Sequence, residues 1–161
     1  MTRNFTAKAV HKYMYPATFN FRDDTVGSEP TGWTTVNGDG CTTTVITSLD
    51  GHRKVLDCFD DSGVNVFLLY TTFTAATIIN IELLVRFTAL SATYLSVFDA
   101  VPVQNYWRLD AIAGMVINTW HHIKFKIDTT ADTYSLWRDN VSIASGAALP
   151  IAVMGLSLIH I

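Results

Sequence analysis

The stretch Asn118–Ile143, NTWHHIKFKIDTTADTYSLWRDNVSI, constrains the fold more than any other part of the chain. His121, Ile123, Phe125 and Ile127 alternate with polar residues; Asp128-Thr129-Thr130-Ala131-Asp132 interrupts the period, and Tyr134 and Leu136 resume it. Successive side chains of a strand point to opposite faces, so a period of two broken by turn-formers predicts a β-hairpin with one buried face. No catalytic group stands out in it.

The same period recurs along the chain. Cys41–Thr47 and Arg53–Phe59 flank Ser48-Leu49-Asp50-Gly51-His52, whose Asp-Gly step predicts a second hairpin. Val64–Tyr70 reads as a strand. Thr77–Thr88 reads as a longer one, with Ile79, Ile81, Leu83, Val85 and Phe87 on the inward face and Glu82, Arg86 and Thr88 on the other. Thr93–Asp99, Tyr106–Ile112 and Val141–Ile143 follow as short alternating runs, the last giving way to a Gly/Ala loop. Near the start, Thr18–Phe21 alternates and leads into a loop, Arg22–Trp33, punctuated by Gly27, Pro30 and Gly32, with Trp33 placed to plug an edge of the core. About ten strands and no helix are expected, rich in β-branched and aromatic residues as half-buried pleated surfaces require. With 161 residues and 49% hydrophobic content, the chain can form one domain that buries roughly 70% of its unfolded surface. Residues 1–12 read as an N-terminal tail and 13–155 as the folded unit.

Charge and cysteine usage exclude several partners. The formal net charge is −3, with Lys and Arg scattered, so the chain lacks the basic stripe that phosphate neutralisation needs and no nucleic-acid partner is expected. Polar residues interrupt every apolar run well before the ~20 residues that span a bilayer, so no membrane insertion is expected. Met1–Pro16 begins basic but shows no continuous apolar segment followed by a small-residue cleavage site. Cys41 and Cys58 lie on neighbouring strands within reach of a cross-hairpin disulfide; their spacing suits neither a metal site nor a disulfide framework, and buried free thiols are the favoured reading.

Short strands at near-regular spacing indicate a sandwich or barrel. The segments YPATFNFRDDTVGSEPTGW and NTWHHIKFKIDTTADTYSLWRDN resemble the laminin-G-like, concanavalin A-like jelly-roll superfamily, in which Trp-His precedes an alternating strand, followed by a Tyr-x-Leu strand and a tight turn. The resemblance spans most of Ala17–Gly155 and implies an all-β fold, a two-sheet antiparallel β-sandwich. Where the superfamily has Asp-Gly in that turn, this chain has Asp139-Asn140; Asn also tolerates left-handed backbone, so the hairpin is expected to survive. Leu156–Ile161, LSLIHI, is identical to the translated end of a commonly used sequencing transposase adapter. Residues 156–161 are therefore expected to be a non-native C-terminal tail, with the sandwich missing its last strand and one sheet edge unpaired. The alternative is that Leu156, Leu158 and His160 alternate as a real final strand.

The chemistry that the resemblance implies divides into several classes. Glycoside hydrolases of this superfamily place Glu-x-Asp-x-x-Glu on one strand, which sends both carboxylates into one cleft. Here Glu82 is followed by Leu83-Leu84-Val85, the other glutamate, Glu29, lies in a loop, and only Asp99 and Asp110 are strand-borne candidates. The alginate-lyase type needs Arg, Gln, His and Tyr; Arg86, Gln104, His122 and Tyr106 are the right types outside any recognisable motif. His121 and His122 are adjacent on a strand and point to opposite faces, so they do not grip one metal ion. Sugar recognition needs an exposed aromatic beside planar polar groups. With Tyr134 and Leu136 facing the core, Trp137 points outward, and Tyr106, Arg108, Asp110, His122, Lys124, Glu82 and Arg86 are expected to share a concave sheet face with it. Trp137, Tyr106, Arg108, Arg86 and His122 are the candidate ligand-binding residues, with carbohydrate as partner and no catalytic or metal-ligating residue assigned. Asp23, Asp24, Asp60 and Asp61 offer hard oxygen ligands of the kind calcium takes; no other cofactor is indicated. The expectation is a non-catalytic glycan-binding or adhesion module, not an enzyme, within a larger extracellular or virion-surface protein and beside neighbouring domains. The alternative is a structural or assembly domain, and a polysaccharide hydrolase or lyase ranks third.

Overall fold

The computed structural model describes residues 21–36, 38, 40–60, 68–90, 93–98, 104–150 and 156–160. They form eleven strands: β1 (Thr34–Val36), β2 (Cys41–Leu49), β3 (His52–Asp60), β4 (Leu68–Ala76), β5 (Ile78–Arg86), β6 (Tyr94–Phe98), β7 (Gln104–Arg108), β8 (Trp120–Asp128), β9 (Thr133–Arg138), β10 (Val141–Ala148) and β11 (Leu156–His160). No helix occurs among the described residues. A five-stranded sheet has the order β1-β4-β11-β6-β7, a four-stranded sheet β10-β9-β8-β5, and β2-β3 stands as a separate hairpin. Every pairing is antiparallel. The all-β sandwich expected from the period-two pattern is the architecture observed.

The four-stranded sheet follows the sequence closely. Ile79, Ile81, Leu83, Val85 and Phe87 of β5 and its end, and His121, Ile123, Phe125 and Ile127 of β8, are all buried. Residue-by-residue pairing from Ile78↔Asp128 to Arg86↔Trp120 keeps the two apolar sets on one face. Leu136 pairs with Phe125 and Tyr134 with Ile127, so β9 adds to that face. The other sheet meets it through Trp107 of β7, whose ring centroid lies 5.2 Å from Phe125 and 5.4 Å from Tyr134 in tilted and edge-on geometry. Such pairs contribute beyond their buried area, and truncating a buried Phe typically costs about 3–5 kcal/mol.

Turns follow local chemistry. Asp50 and Gly51 both take positive φ and close β2-β3 as the Asp-Gly step predicts. Asp139 and Asn140, at φ 50° and 66°, do the same between β9 and β10. In the β8-β9 turn, Asp128 Oδ1 accepts the N–H groups of Thr130 and Ala131 at 3.0 and 2.9 Å. A single residue, Thr77, separates β4 from β5, so the chain passes from one sheet to the other without a loop; the Thr77 carbonyl accepts from both the N–H and the hydroxyl of Thr129.

Several boundaries differ from expectation. β4 starts at Leu68 and runs through the Thr-rich segment to Ala76, because β-branched threonines fit a pleated surface as well as valine does. The Gly/Ala segment after Ile143 is strand, not loop: β10 reaches Ala148 with register shifts around Ala144, and Gly146 at φ 60° donates its N–H to Ser135 Oγ. Such bulges absorb small residues that an alternation template rejects. β1 carries no alternation signal in its three residues. Trp33 packs against the core edge as expected. Cys41 and Cys58 are buried and are not joined in a disulfide. Thr18–Asn20, Val64–Phe67 and Asp99 lie outside the described residues.

The position of the last strand corrects one expectation. Instead of leaving an unpaired edge, Leu156–His160 forms β11 in the middle of the five-stranded sheet, between β4 and β6. Its backbone pairs with both β4 and β6, whose edges otherwise expose unpaired N–H and C=O groups. Deleting residues 156–161 is therefore expected to convert a cooperatively melting protein into one that elutes as aggregate on size exclusion and loses its sharp thermal transition by circular dichroism. A shortened chain that stays monomeric and melts like the parent would contradict this role for β11.

Candidate functional site

The face of the four-stranded sheet turned away from the core carries the residues between the apolar ones. Register places Glu82, Lys124 and Trp137 in one row across β5, β8 and β9, and Asn80, Lys126 and Ser135 in the next. His122 lies beyond them, opposite Leu84. Together Ile78, Asn80, His122, Lys124, Lys126, Trp137 and Asn140 line a groove of about 660 Å³, within the size range of small-molecule and saccharide sites. Trp137 is half-buried and supplies an apolar plate; Asn80, Asn140 and His122 supply planar polar groups. Glu82 is a half-buried anchor, with Oε1 3.2 Å from Lys124 Nζ and Oε2 3.4 Å from His122 Nε2.

The far end of this face is covered. Arg86 Nε lies 2.9 Å from Asp50 Oδ2 at the tip of the β2-β3 hairpin, and the His52 ring sits 4.5 Å from that of Trp120. Arg86 is thus engaged by the hairpin, away from Trp137. Of the five candidate residues, Trp137 and His122 come together in the groove. Tyr106 and Arg108 belong to β7, at the edge of the other sheet; the Tyr106 backbone pairs with Ser96, and its side chain lies outside the described residues. The structure therefore does not gather the five into one site, because a period of two sorts residues by face and carries no information about which sheet a strand joins. Ile78, Asn80, Lys126 and Asn140 are groove residues that the sequence reading does not single out. The alternation that selects Glu82 and Lys124 selects Asn80 and Lys126 two residues along, so half of this omission was recoverable.

Arg108 has a structural partner instead. Its Nε and Nη2 donate to both oxygens of the buried Asp110 at 2.9–3.2 Å, and Thr93 N–H donates to Asp110 Oδ1 at 3.1 Å. Burial pushes the Asp110 carboxyl up, but the hydrogen bonds from Arg108 and Thr93 and the guanidinium charge together hold it below its ordinary value. Asp110 lies in the turn two residues past β7, where it staples the chain that follows the strand.

His121 forms what looks like a catalytic dyad. Its Nδ1 is 2.7 Å from Asp139 Oδ2, as in an Asp-His pair. Its Nε2, however, accepts the backbone N–H of Val116 at 3.1 Å. Accepting at Nε2 while donating from Nδ1 requires the neutral Nδ1–H tautomer, and the lone pair a general base needs is occupied. Asp139 also accepts the His122 N–H at Oδ1, 2.8 Å, donates its own N–H to the His122 carbonyl, and lies 3.4 Å from Arg138 Nε. Burial raises its carboxyl, and the bonds from His121 and His122 with the Arg138 charge outweigh this and hold it low. Arg138 in turn lies over Gly114, at φ 77°, where any Cβ would overlap the guanidinium. The cluster latches the β9-β10 turn to the start of β8 and to the 114–118 loop.

No three metal-ligating side chains converge among the described residues. In the acidic loop, Asp24 Oδ1 accepts the Thr31 N–H at 3.0 Å and the Asp24 carbonyl accepts Lys54 Nζ, which places a protein cation there. Asp61 and the Asp60 side chain lie outside the described residues.

The sign of the Asp110 linkage gives a pH prediction. A carboxylate held below its ordinary value of about 3.9 contributes stability that is complete above that pH and is lost as pH falls through the folded-state value. Replacing Arg108 with Ala removes the main lowering contacts, so the variant is expected to be less stable than the parent at pH 6, and the gap between their urea-unfolding free energies to narrow as pH falls to 2, because the variant no longer has the Asp110 contribution to lose. A gap that stays constant over that range would contradict the assignment.

No family model and no curated relative matches this chain. Among solved structures, a protein named Sialidase matches with a TM-score of 0.65 at 10% identity, over 80% of this chain and 13% of that one. At that identity the likeness is one of fold, and the chain spans a small part of that protein's length. The expectation that the chain is not an enzyme is corrected by this match, which points to an enzyme-related fold: the same fold occurs inside a chain that bears an enzyme's name.

Proposed function

We propose that this chain is a carbohydrate-binding module whose sugar site is the groove on the outer face of the β10-β9-β8-β5 sheet, as part of a larger carbohydrate-active protein. The observation that carries the reading is the placement of Trp137 beside Lys124, in a groove that also holds Asn80, His122 and Asn140. A pyranose presents an apolar ring face and an equatorial belt of hydroxyls; the indole matches the first and planar amide and imidazole groups match the second. Rigid strands hold these groups in place, so little ordering cost opposes binding. Likeness of fold to a sialidase, by its name a carbohydrate-acting enzyme, supports the same reading, as does the resemblance of the two quoted segments to the laminin-G-like, concanavalin A-like superfamily.

Glycan-array and affinity-electrophoresis measurements test the proposal. Trp137→Ala is expected to weaken saccharide binding about tenfold or more, the equivalent of about 1.4 kcal/mol of lost stacking, while the melting temperature changes little because the indole lies on the outer face. Absence of saccharide binding, accompanied by concentration-dependent self-association in sedimentation experiments, would favour a structural assembly domain instead.

A further inference from the structure

We propose that the groove takes a negatively charged sugar, a uronate or a sulfated residue, and that Lys126 is the cation that reads its anion. The inference rests on the carbohydrate-binding reading and concerns the class of saccharide.

Four titratable side chains stand on this part of the face: Glu82, His122, Lys124 and Lys126. Glu82 divides its two oxygens between Lys124 and His122, at 3.2 and 3.4 Å, so these contacts are already satisfied within the protein. Lys126 has a different setting. Its cross-strand neighbours are Asn80 and Ser135, both neutral. The carboxylate two residues along its own strand, Asp128, is turned into the β8-β9 turn, where Oδ1 accepts two backbone N–H groups. Among the described residues no ion pair engages Lys126. The groove therefore carries a surplus positive charge on a protein whose formal net charge is −3. This is a local arrangement and not the expression of a generally basic surface.

An ammonium on a flexible stem is a point charge that suits a carboxylate or a sulfate equally. Trp137 and Lys126 occupy adjacent rows of the sheet. Neighbouring strands are about 4.8 Å apart and alternate residues about 6.8 Å apart, so one monosaccharide unit can stack on the indole while its anionic substituent, or that of the next unit, reaches the ammonium. At a partly exposed site the pair is worth about a two- to fivefold gain in affinity, and salt screens it.

Affinity electrophoresis of the intact chain against polygalacturonate, dextran sulfate and neutral dextran, at low and high sodium chloride, tests this directly. Retardation by one or both anionic polymers is expected to exceed that by neutral dextran, to fall about two- to fivefold in Lys126→Gln, and to weaken with salt. Galacturonate against sulfate distinguishes the two anion sources. Glu82→Gln, which releases Lys124 and His122 from their internal partner, is expected to strengthen binding to the anionic polymers. Equal binding of neutral and charged polymers, unchanged in Lys126→Gln, overturns the anionic class and leaves the carbohydrate reading standing. Retardation by dextran sulfate that survives Trp137→Ala overturns the inference as general surface attraction. Failure to bind any of the three polymers, together with an empty glycan array, overturns the carbohydrate reading itself.

Discussion

The pairing of β5 with β8 is the constraint on which the rest of the molecule depends. It is continuous from Ile78↔Asp128 to Arg86↔Trp120, and because side chains alternate with a period of two, a slip of one residue would exchange the faces of the sheet. A slip of β8 against β5 would bring Lys124 and Lys126 toward Trp107 and turn Phe125 and Ile127 outward. Burying unpaired charge costs far more than the apolar contacts return, so only one register is compatible with the core. The same register sets the row in which Glu82, Lys124 and Trp137 meet. Core and groove are two faces of one decision.

How much of this could be read in advance depended on the element. In β5, β8 and β9 large apolar residues fill most of the alternate, inward positions, His121 being an exception, and the runs end at turn residues, so both strands and faces were legible. Ala144–Ala148 carries no large side chain, and its bulges break the period, so strand character there follows from pairing with Tyr134 and Leu136 and not from local pattern. β11 is a similar case: five residues take their place from the two edges between which they lie. Of the site, Trp137 and His122 were legible because face follows from parity. Arg108 and Tyr106 do not join them, since sheet membership is decided by pairings distant in sequence. Arg86 shows a third failure: it has the right face, but a hairpin tip formed more than thirty residues earlier covers it through Asp50.

The His121–Asp139 pair shows why residue type and distance are weak evidence of chemistry without an inventory of lone pairs. A carboxylate 2.7 Å from an imidazole is the geometry of an activated base. One further hydrogen bond, from Val116 N–H to Nε2, gives the ring a different role. Asp139 sits in a two-residue turn with left-handed backbone, and its carboxylate satisfies one ring N–H and one backbone N–H at the place where the hairpin meets the loop. The adjacent Trp-His-His positions divide accordingly: Trp120 under the hairpin tip, His121 in the latch, His122 at the groove.

Thr77 has a mechanical consequence. Since β4 turns through that one residue into β5, and Thr129 clamps its carbonyl twice, the floor of the groove and part of the opposite sheet are a single uninterrupted length of chain. Clefts that open on a hinge between layers need a slack connection at the corner. Here the corner is one residue whose carbonyl is hydrogen-bonded twice, so the two sheets are tied at that point without such slack.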